Sequence, residues 1–453
     1  MSLRIPRSIL EHGQALYIKE KLSISPVEIP WKKRKYANSS DAILSYRMQD
    51  VDGVTMLQLP FSFGMKFTCS NNDHLPHQRT NFQFTGKMRD EQRPYINQTM
   101  EYLNNHRSTV LNMRPGFGKT TMSVYLSTLS GLLTLVLIHD TGLISQWVKA
   151  YKLRSNAIVW SVGVDKVPPP GFQVIVCLYT RTTKIDPAIR DKVGFLIVDE
   201  IHQFNNKTGI WSILDFSPKY VLAATATFEK ANGMHLVTES VIGSMRVSAP
   251  LDVEFDVVRV NTGHVATRVA GPSGDTDWTK LKQSLLYNDE RNQLVVRCVH
   301  MLAAKGRKSI VFTTEVDHVK ELHRCIVDSG LQSTDYITGS KSSYTDSAIL
   351  IGNTQKCGTG FDEEMYCENF GGERINAVVI AGSFKDQALL YQVVGRAFRS
   401  VRPIIFHLVD EDSTIKRHWS SCKSWYTANG GCVTTISNNQ IPPITTKPTL
   451  TLV

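Results

Sequence analysis

Apolar runs of strand length recur along residues 86–410 of this 453-residue chain. Continuous apolar runs of this kind are typical of strands that are buried on both faces. We therefore predict strands at residues 108–113, 133–139, 174–178, 195–198, 220–224, 309–314, 348–354 and 377–381. Segments with helical spacing, such as 121–126 and 315–327, lie between them. Because strands that alternate with helices pair in parallel, the pattern predicts parallel sheets covered by helices.

Length and local composition divide the chain into four predicted parts. A chain of 453 residues exceeds what one hydrophobic core usually covers, so two main domains are expected. The parts are an N-terminal module of unknown role at 1–85, two strand-and-helix domains at 86–250 and 251–410, and a C-terminal tail at 411–453. Residues from Thr434 onward are rich in Ser, Thr, Asn and Pro, which predicts a disordered end. The expected fold class is α/β, with two tandem parallel-sheet domains, an N-terminal extension and a short tail.

A glycine-rich turn follows the first strand predicted in residues 86–250 and precedes a predicted helix. The residues predicted to surround phosphate groups are Pro115, Gly116, Phe117, Gly118, Lys119 and Thr120. Glycines keep the backbone bare, so that N–H groups at the start of a helix can converge on phosphate oxygens. The Lys119 ammonium would add positive charge at the outer phosphates, and the Thr120 hydroxyl can ligate Mg²⁺. The alternative is a glycine-rich turn that binds no ligand.

Two carboxylates, Asp199 and Glu200, come at the end of the strand predicted at 195–198. Open α/β sheets bind their ligands at the carboxyl ends of the strands. Asp199 would hold Mg²⁺ there, and Glu200 would polarise the attacking water. By itself, an Asp-Glu pair after a strand is more often the start of a solvated loop. Its position after a phosphate loop favours the catalytic interpretation.

Small residues, two of them hydroxylated, follow the next predicted strand at Thr225, Ala226 and Thr227. The hydroxyl groups could form hydrogen bonds with the acidic pair and transmit the state of the nucleotide to the rest of the chain. The tripeptide is too short to be specific by itself.

The domain at 251–410 lacks a phosphate loop but has two arginines three residues apart, Arg396 and Arg399. At that spacing both can lie on one face of a helix. Arginines that neutralise charge on a γ-phosphate change rates elsewhere by about 10³ to 10⁵. The alternative is two surface arginines on an ordinary helix. The turn-rich segment 354–362 directly follows a strand and is suited to contact a nucleic-acid backbone or a ribose.

Composition narrows the choice of partners only slightly. The formal net charge of +10 favours polyanionic partners, although a modest basic excess also occurs in proteins that bind none. Residues 31–36 place four cations between two aromatic residues and could contact nucleic acid or form a solvated turn. The eight cysteines lack Cys-x-x-Cys spacing, which indicates reduced thiols rather than zinc. The apolar stretches are too short for a membrane span, so we expect a soluble protein without a signal peptide.

Taken in chain order, these segments resemble the motifs of superfamily 2 helicases. Residues 113–120 resemble motif I, 143–147 the Ia region, 199–202 a DExH box, 225–227 motif III, 354–362 motif V and 392–399 the Gln-x-x-Gly-Arg-x-x-Arg motif VI. The ordered set is specific and spans most of residues 86–405. Details such as Gly-Phe-Gly-Lys-Thr in the loop resemble the poxvirus transcript-release DNA helicases and their relatives in large cytoplasmic DNA viruses. The xeroderma pigmentosum group B type of translocase is a more distant relative.

The resemblance implies two RecA-like domains, with ATP and Mg²⁺ as cofactors. In that family pattern Lys119 and Thr120 would take phosphate and Mg²⁺, Asp199 the metal, and Glu200 the water. Gln92, which precedes the loop, resembles the glutamine that reads adenine.

The resemblance also assigns residues outside the loop and the acidic pair. Arg396 and Arg399 would contact the γ-phosphate of a nucleotide that both domains share. Gly360 and Asp362 would lie near that nucleotide. The residues implied in coupling nucleotide state to movement are His202, Thr225, Ala226, Thr227 and Gln392.

The function implied is that of a DNA-dependent ATPase, a helicase or translocase that moves 3′ to 5′ in viral transcription termination, transcript release or DNA repair. The implied partners are nucleic acid, with DNA favoured over RNA, and viral transcription machinery, without a membrane. The implied location is the host cytoplasm, in viral factories, or the virion. An RNA-directed DExH helicase and the motor subunit of a nuclease complex are the alternatives.

Overall fold

A computed structural model describes residues 2–25, 42–51, 53–64, 75–226, 228, 235–271, 276–339, 341, 343–358 and 361–444. The chain divides into two compact units, Met1–Met113 with Gly118–Pro250 and Arg114–Phe117 with Leu251–Val453. Three sequence predictions fall outside the described residues: the basic segment 31–36, Thr227 and Gly360. They stay predictions.

The N-terminal part of the first unit is a small antiparallel sheet with helices. Its elements are β1 (Ser2–Pro6), α1 (His12–Lys21), β2 (Ser23–Ile24), β3 (Ile43–Leu44), β4 (Arg47–Val51), β5 (Val54–Pro60) and α2 (Phe61–Gly64). Among the described residues, β1, β5 and β4 pair in that order. Buried Leu3, Ile5, Ile18 and Leu59 lie in a small apolar core of this part.

A parallel sheet forms the centre of the first unit. Its strands are β6 (Ser108–Asn112), β7 (Thr134–Ile138), β8 (Val159–Ser161), β9 (Val174–Leu178), β10 (Phe195–Asp199), β11 (Tyr220–Thr225) and β12 (Arg246–Ser248). The helices are α3 (Arg93–His106), α4 (Lys119–Ser130), α5 (Gly142–Arg154), α6 (Pro187–Arg190), α7 (Lys207–Leu214) and α8 (His235–Ile242). The described strands follow the order β12-β6-β11-β10-β7-β9-β8, and neighbouring strands are parallel.

The register of this sheet brings the candidate residues to one edge. Asp199 lies opposite Ala224, and Thr225 lies opposite Asn112. The phosphate loop, the acidic pair and Thr225 therefore follow three neighbouring strands, β6, β10 and β11, at their carboxyl ends. Because β10 is central and buried on both faces, its sequence is apolar up to Asp199.

Polar contacts join the N-terminal part to the end of α7. The Arg47 guanidinium donates to the Asp215 carboxylate at 2.7 Å. The Ser2 backbone N–H donates to the Phe216 carbonyl at 2.9 Å. The buried Gln58 amide donates to the Leu214 carbonyl at 3.3 Å. Since these acceptors are consecutive in sequence, the N-terminal part supports one short stretch of the first unit.

The second unit has a parallel sheet of its own. Its strands are β13 (Phe255–Asn261), β14 (Ser309–Thr313), β15 (Thr334–Ile337), β16 (Ile349–Asn353), β17 (Ala377–Ile380), β18 (Ile404–Val409) and β19 (Gly431–Ser437). The helices are α9 (Trp278–Leu286), α10 (Asp289–Ala303), α11 (Val316–Asp328), α12 (Thr354–Cys357), α13 (Glu363–Tyr366), α14 (Gln387–Val394) and α15 (Ser413–Ala428). The described strands follow the order β15-β16-β14-β17-β18-β13-β19. The predicted α/β fold with two parallel-sheet domains is confirmed.

The prediction of a disordered end from Thr434 onward is wrong for the described part of that segment. Thr434 lies in β19, which pairs in parallel with β13 and places Thr434 opposite Val258. The preceding helix α15 buries Trp419 and Tyr426 in the core of the second unit. Because β19 is an edge strand with several exposed positions, its polar composition is compatible with pairing.

Two buried histidines should make the second unit sensitive to acid. Burial lowers the pKa of both His407 and His318 to about 3. The charge of Arg259 lowers the pKa of His407 further, while the charge of Asp410 acts to raise it. The charge of Arg291 likewise lowers the pKa of His318. A histidine in an unfolded chain has a pKa of about 6.5. Below about pH 6.5 each of these histidines takes up a proton in the unfolded chain but not in the folded unit. The free energy of unfolding therefore decreases as the pH is lowered.

We expect that free energy to fall by about 2 kcal/mol for each of these histidines between about pH 6.5 and pH 5, at about 1.4 kcal/mol per pH unit. Urea unfolding followed by tryptophan fluorescence at both pH values measures the fall. The His407→Gln variant keeps a polar partner for the Tyr426 hydroxyl, which lies 3.0 Å from His407 Nδ1, but does not titrate. It should lose about 2 kcal/mol less than the wild type. An equal fall in both proteins would contradict this prediction.

Candidate active site

The predicted phosphate loop connects β6 to α4. Gly116 and Gly118 have φ angles of 77° and 95°, in the left-handed region that favours glycine. Gly118 is also the N-cap of α4, and among the described residues no side chain caps this helix start. The start of a helix directs its first N–H groups outward, a geometry that suits a bound anion.

Lys119 and Gln92 pack against this loop. Lys119 Nζ donates to the Met113 carbonyl at 2.9 Å, which holds the ammonium near the start of the loop. Gln92 is buried, and its Oε1 accepts a hydrogen bond from the Arg89 backbone N–H at 2.9 Å. A Cβ at Gly118 would lie 2.3 Å from Gln92 Nε2 and would displace that amide, and the φ of 95° itself favours glycine there. The adenine-reading role of Gln92 stays a prediction.

The acidic pair lies at the carboxyl end of β10. Asp199 is the last residue of the strand, and the Trp147 indole N–H on α5 donates to its Oδ2 at 2.8 Å. Glu200 is buried and adopts a left-handed backbone conformation with φ 49° and ψ 54°. Such a conformation costs a residue other than glycine about 1 to 3 kcal/mol and is concentrated at functional sites. The turn directs the chain into the 3₁₀ helix Ile201–Phe204.

His202 links Glu200 to Thr225. His202 Nδ1 lies 2.9 Å from Thr225 Oγ1 and 3.2 Å from Glu200 Oε2. On the other side of the ring, the Gln203 amide nitrogen lies 2.9 Å from His202 Nε2. Because an amide N–H can only donate, Nε2 accepts and the ring proton belongs on Nδ1, facing both Thr225 and Glu200. The structure thus brings together the acidic pair and a residue of the next strand.

Burial raises the pKa of Asp199, and the charge of Glu200 raises it further against the opposing effects of Trp147 and Lys119. Burial also acts to raise the pKa of Glu200, but the hydrogen bond from His202 and the charge of Lys119 outweigh it, and that pKa is lowered. Glu200 is therefore ionised at neutral pH and can accept a hydrogen bond from water. Asp199 holds its proton more tightly than an ordinary aspartate, which a cation beside it would reverse.

The donor set fits the Mg²⁺ that the sequence resemblance implies. Mg²⁺ prefers oxygen ligands and binds through few protein groups together with substrate phosphates. Thr120, in the first turn of α4, and Asp199 offer a hydroxyl and a carboxylate. Glu200 Oε2 is buried, and its contact with His202 Nδ1 at 3.2 Å is longer and less well aligned than a standard hydrogen bond. This leaves acceptor capacity for a group that the chain does not contain.

In the second unit, Arg396 and Arg399 bind the segment that follows β16. Arg396 Nη2 donates to the Gly358 carbonyl at 2.6 Å, and its Nη1 donates to the Phe361 carbonyl. Arg399 Nη2 donates to Asp362 Oδ2 at 2.6 Å. The two predicted motifs of this unit, at 354–362 and 392–399, therefore contact each other.

The prediction that both arginines lie on one helical face is wrong. Helix α14 ends at Val394, and Arg396 and Arg399 lie in turns beyond it. The Arg396 and Ala397 backbone N–H groups donate three residues back, at 3.3 and 3.0 Å, which tightens the chain after the helix. Gln392 lies on α14 and is buried, as is Ala226 after β11.

Two contacts of the site were not expected from sequence. Trp147 belongs to the segment that resembles the Ia region, but nothing in its spacing pointed to Asp199, which is 52 residues away. The contact of Asp362 with Arg399 joins residues that were assigned to separate motifs. Both contacts depend on side-chain directions at the ends of different elements, which a single sequence does not specify.

Comparisons with known proteins identify relatives of this chain. Residues 85–230 match the model of the family described as type III restriction enzyme, res subunit. "Putative helicase 161L" of Invertebrate iridescent virus 6 is 24% identical over 406 residues, which cover 83% of this chain and 88% of the relative. "Putative helicase 109L" of Invertebrate iridescent virus 3 is 30% identical over 220 residues, 45% of this chain and 67% of the relative. "Transcript termination protein A18" of Ectromelia virus (strain Moscow) is 25% identical over 238 residues, 48% of each chain.

Among solved structures, this chain is similar to S. cerevisiae Dbp5 bound to RNA and ADP BeF3, with a TM-score of 0.55 and 13% sequence identity. The aligned part covers 76% of this chain and 90% of the Dbp5 chain. That likeness concerns the fold. Two RecA-like domains that carry these motifs define a superfamily 2 helicase. The chain belongs to the family of viral helicases represented by the 161L and 109L proteins, and the resemblance stated from sequence is confirmed.

Among the described residues, no helix combines the length and apolar character required to cross a membrane.

Proposed function

We propose that this protein is an ATP-dependent DNA helicase or translocase that moves 3′ to 5′ and acts in viral transcription termination, transcript release or DNA repair. The observation that carries the proposal is the hydrogen-bonded group of Glu200, His202 and Thr225 beside Asp199 and Lys119 at one edge of the sheet. Membership of a superfamily 2 helicase family implies ATP hydrolysis. The named transcript-termination relative supports the viral context.

The residues of the first unit divide the work of hydrolysis in this proposal. The N-terminus of α4 and Lys119 bind the phosphates, and Thr120 and Asp199 hold Mg²⁺. Bound Mg²⁺ supplies neutralisation of charge on the phosphate oxygens. Glu200, ionised and held in a strained turn, orients and polarises the attacking water. Gln92 contacts the base beside Gly118.

His202 and Thr225 transmit the state of this site in the proposal. Glu200 and Thr225 both face the single N–H group at His202 Nδ1 and compete for it as acceptors. When the bonding of Glu200 changes, the hydrogen bond between His202 and Thr225 therefore becomes stronger or weaker. Thr225 lies at the end of β11, where Ala226 and Thr227 continue the chain. Arg396 and Arg399 at the γ-phosphate stay a prediction, as does Asp362 near the nucleotide.

DNA is the polyanion that the proposal favours. The net charge of +10 supports a nucleic-acid partner, and backbone contacts of such a motor make binding sensitive to salt with little sequence preference. The preference for DNA over RNA follows from the resemblance to transcript-release DNA helicases. The alternative is an RNA-directed enzyme, so the experiment must distinguish stimulation by DNA from stimulation by RNA.

We expect single-stranded DNA to raise the turnover number for ATP more than RNA of the same length and sequence does. The measurement is steady-state ATP hydrolysis with single-stranded DNA, duplex DNA, RNA or no nucleic acid, at two salt concentrations. Since phosphate contacts release counterions, the nucleic-acid concentration needed for half-maximal stimulation should rise with salt. Strand separation on duplexes with a 3′ or a 5′ tail then tests direction, and 3′-tailed substrates should be preferred.

The Lys119→Ala variant is the control, because it should abolish the stimulated rate and so excludes a contaminating ATPase. Stimulation by RNA alone would replace the DNA assignment with an RNA-directed enzyme. A stimulated wild-type rate that survives in Lys119→Ala would overturn the site. Cleavage of supercoiled plasmid DNA by the protein with Mg²⁺ would point instead to a nuclease.

A further inference from the structure

Trp147 makes a direct contact with the candidate metal ligand. It lies on α5, is 1% exposed, and its Nε1–H donates to Asp199 Oδ2 at 2.8 Å. Tryptophan has one polar group, a donor, and a buried indole N–H normally finds an acceptor. A backbone carbonyl would satisfy that need equally well. In this protein the acceptor is a carboxylate at the carboxyl edge of the sheet.

The indole is held by packing that reaches the phosphate-loop helix. The Trp147 and Tyr151 rings lie 6.3 Å apart between centroids, one turn apart on α5. The buried Tyr151 hydroxyl donates to Ser127 Oγ at 3.1 Å, and Ser127 lies on α4. Because α4 begins at Lys119, the same helix pair carries the phosphate-binding lysine and the group that holds Asp199. Trp147 therefore has little freedom to move away from the carboxylate.

We propose that Trp147 is a positioning residue, whose indole N–H fixes the Asp199 carboxylate in the orientation that takes Mg²⁺. This inference rests on the proposed role of Asp199 as a metal ligand. Groups that orient a metal ligand by a hydrogen bond typically change metal affinity about 10- to 100-fold when they are removed. With Oδ2 bonded to Trp147, rotation of the carboxylate breaks this hydrogen bond and leaves the buried indole N–H without its acceptor.

Trp147→Phe tests the proposal because phenylalanine keeps an aromatic ring but lacks the N–H. The readout is binding rather than turnover: a fluorescent, non-hydrolysable ATP analogue is titrated with Mg²⁺ at fixed protein concentration. We expect the Mg²⁺ concentration for half-maximal binding to rise about tenfold or more. Binding of the analogue without Mg²⁺ should stay unchanged. A Mg²⁺ dependence like that of the wild type would overturn the proposal.

A matched control and a second variant separate positioning from stability. Trp160→Phe alters another buried tryptophan, which packs on Phe172 at 5.3 Å, and should leave the Mg²⁺ dependence unchanged. If Trp147→Phe does not fold, site-specific replacement of Trp147 by benzothienylalanine exchanges the N–H for sulfur at nearly constant shape. The same tenfold rise is expected in that protein, and its absence would contradict the inference.

Asp199→Asn distinguishes a failure of this inference from a failure of the proposed function. If Trp147 acts through Asp199, the double variant should require no more Mg²⁺ than Asp199→Asn alone, because the two changes remove one interaction. An independent, additive effect would overturn positioning through Asp199. If Asp199→Asn itself leaves the Mg²⁺ dependence unchanged, the metal role of Asp199 is wrong and the inference is overturned with it.

Discussion

Glu200→Gln should lower nucleic-acid-stimulated ATP turnover by about 10² to 10⁴ and leave ATP binding nearly unchanged, because general-base effects are of that size. Glutamine has the shape of glutamate but carries no negative charge with which to polarise water. Glu200 is ionised at neutral pH, since the His202 hydrogen bond and the Lys119 charge outweigh the effect of burial on its pKa. The substitution therefore removes a charge that the folded protein maintains.

Steady-state ATP hydrolysis and binding of a fluorescent ATP analogue measure the two halves of this prediction. Glu101→Gln is the matched control, because Glu101 is an exposed residue of α3 and its substitution should leave turnover unchanged. Lys119→Ala should instead weaken binding and hydrolysis together. Wild-type turnover in Glu200→Gln would show that another group acts on the water, and equal loss of binding would assign Glu200 to nucleotide binding.

Asp410→Asn should lower the free energy of unfolding of the second unit by about 3 to 5 kcal/mol, the usual effect of breaking a buried ion pair. Asp410 and Arg291 are 2% and 1% exposed. Two hydrogen bonds join them, Nε to Oδ1 at 2.9 Å and Nη2 to Oδ2 at 3.0 Å. Arg291 also donates to the Ala381 carbonyl at 2.7 Å, and Thr262 donates to Asp410 at 2.7 Å. Asparagine would leave the arginine charge buried without its counter-charge.

Urea unfolding monitored by tryptophan fluorescence measures this loss. The partly exposed pair of Lys282 and Glu315, with 27% and 40% exposure, supplies the control. Glu315→Gln should change the free energy by less than about 1 kcal/mol, because solvent screens that pair. Replacing both Arg291 and Asp410 by apolar residues of similar volume should recover much of the loss. Equal effects of Asp410→Asn and Glu315→Gln would contradict the buried-pair explanation.

The local pattern predicted the strands well because a central parallel strand must be apolar on both faces. Five of the predicted apolar runs form β6, β7, β9, β10 and β11 of the sheet that carries the candidate site. The observed strand ends differ from the predicted ones by at most about two residues, as is usual for element boundaries. The glycine-rich turn lies between a strand and a helix as expected, with Gly116 and Gly118 at positive φ. Short-range preferences decide such features.

The failures share one physical cause, which is that tertiary partners overrode local preference. The polar segment at Thr434 became an edge strand because β13 offered it an unpaired edge. The helix before Arg396 ended at Val394, and the arginines bonded to Gly358 and Asp362 instead of projecting from a helical face. The partners, β13 for Thr434 and the segment 358–362 for the arginines, are far in sequence from the residues on which those predictions were based.

Strand composition, glycine turns and motif order are local properties, so the amino-acid order alone predicts the α/β class, the two sheet domains, the family and the candidate residues. The packing of the whole chain makes β6, β10 and β11 neighbours, so that Lys119, Asp199 and Thr225 meet at one edge. It also decided that His202 lies between Glu200 and Thr225, and that Trp147 holds Asp199. Strand order and side-chain direction are properties of the packed chain, since each is set by residues far apart in sequence.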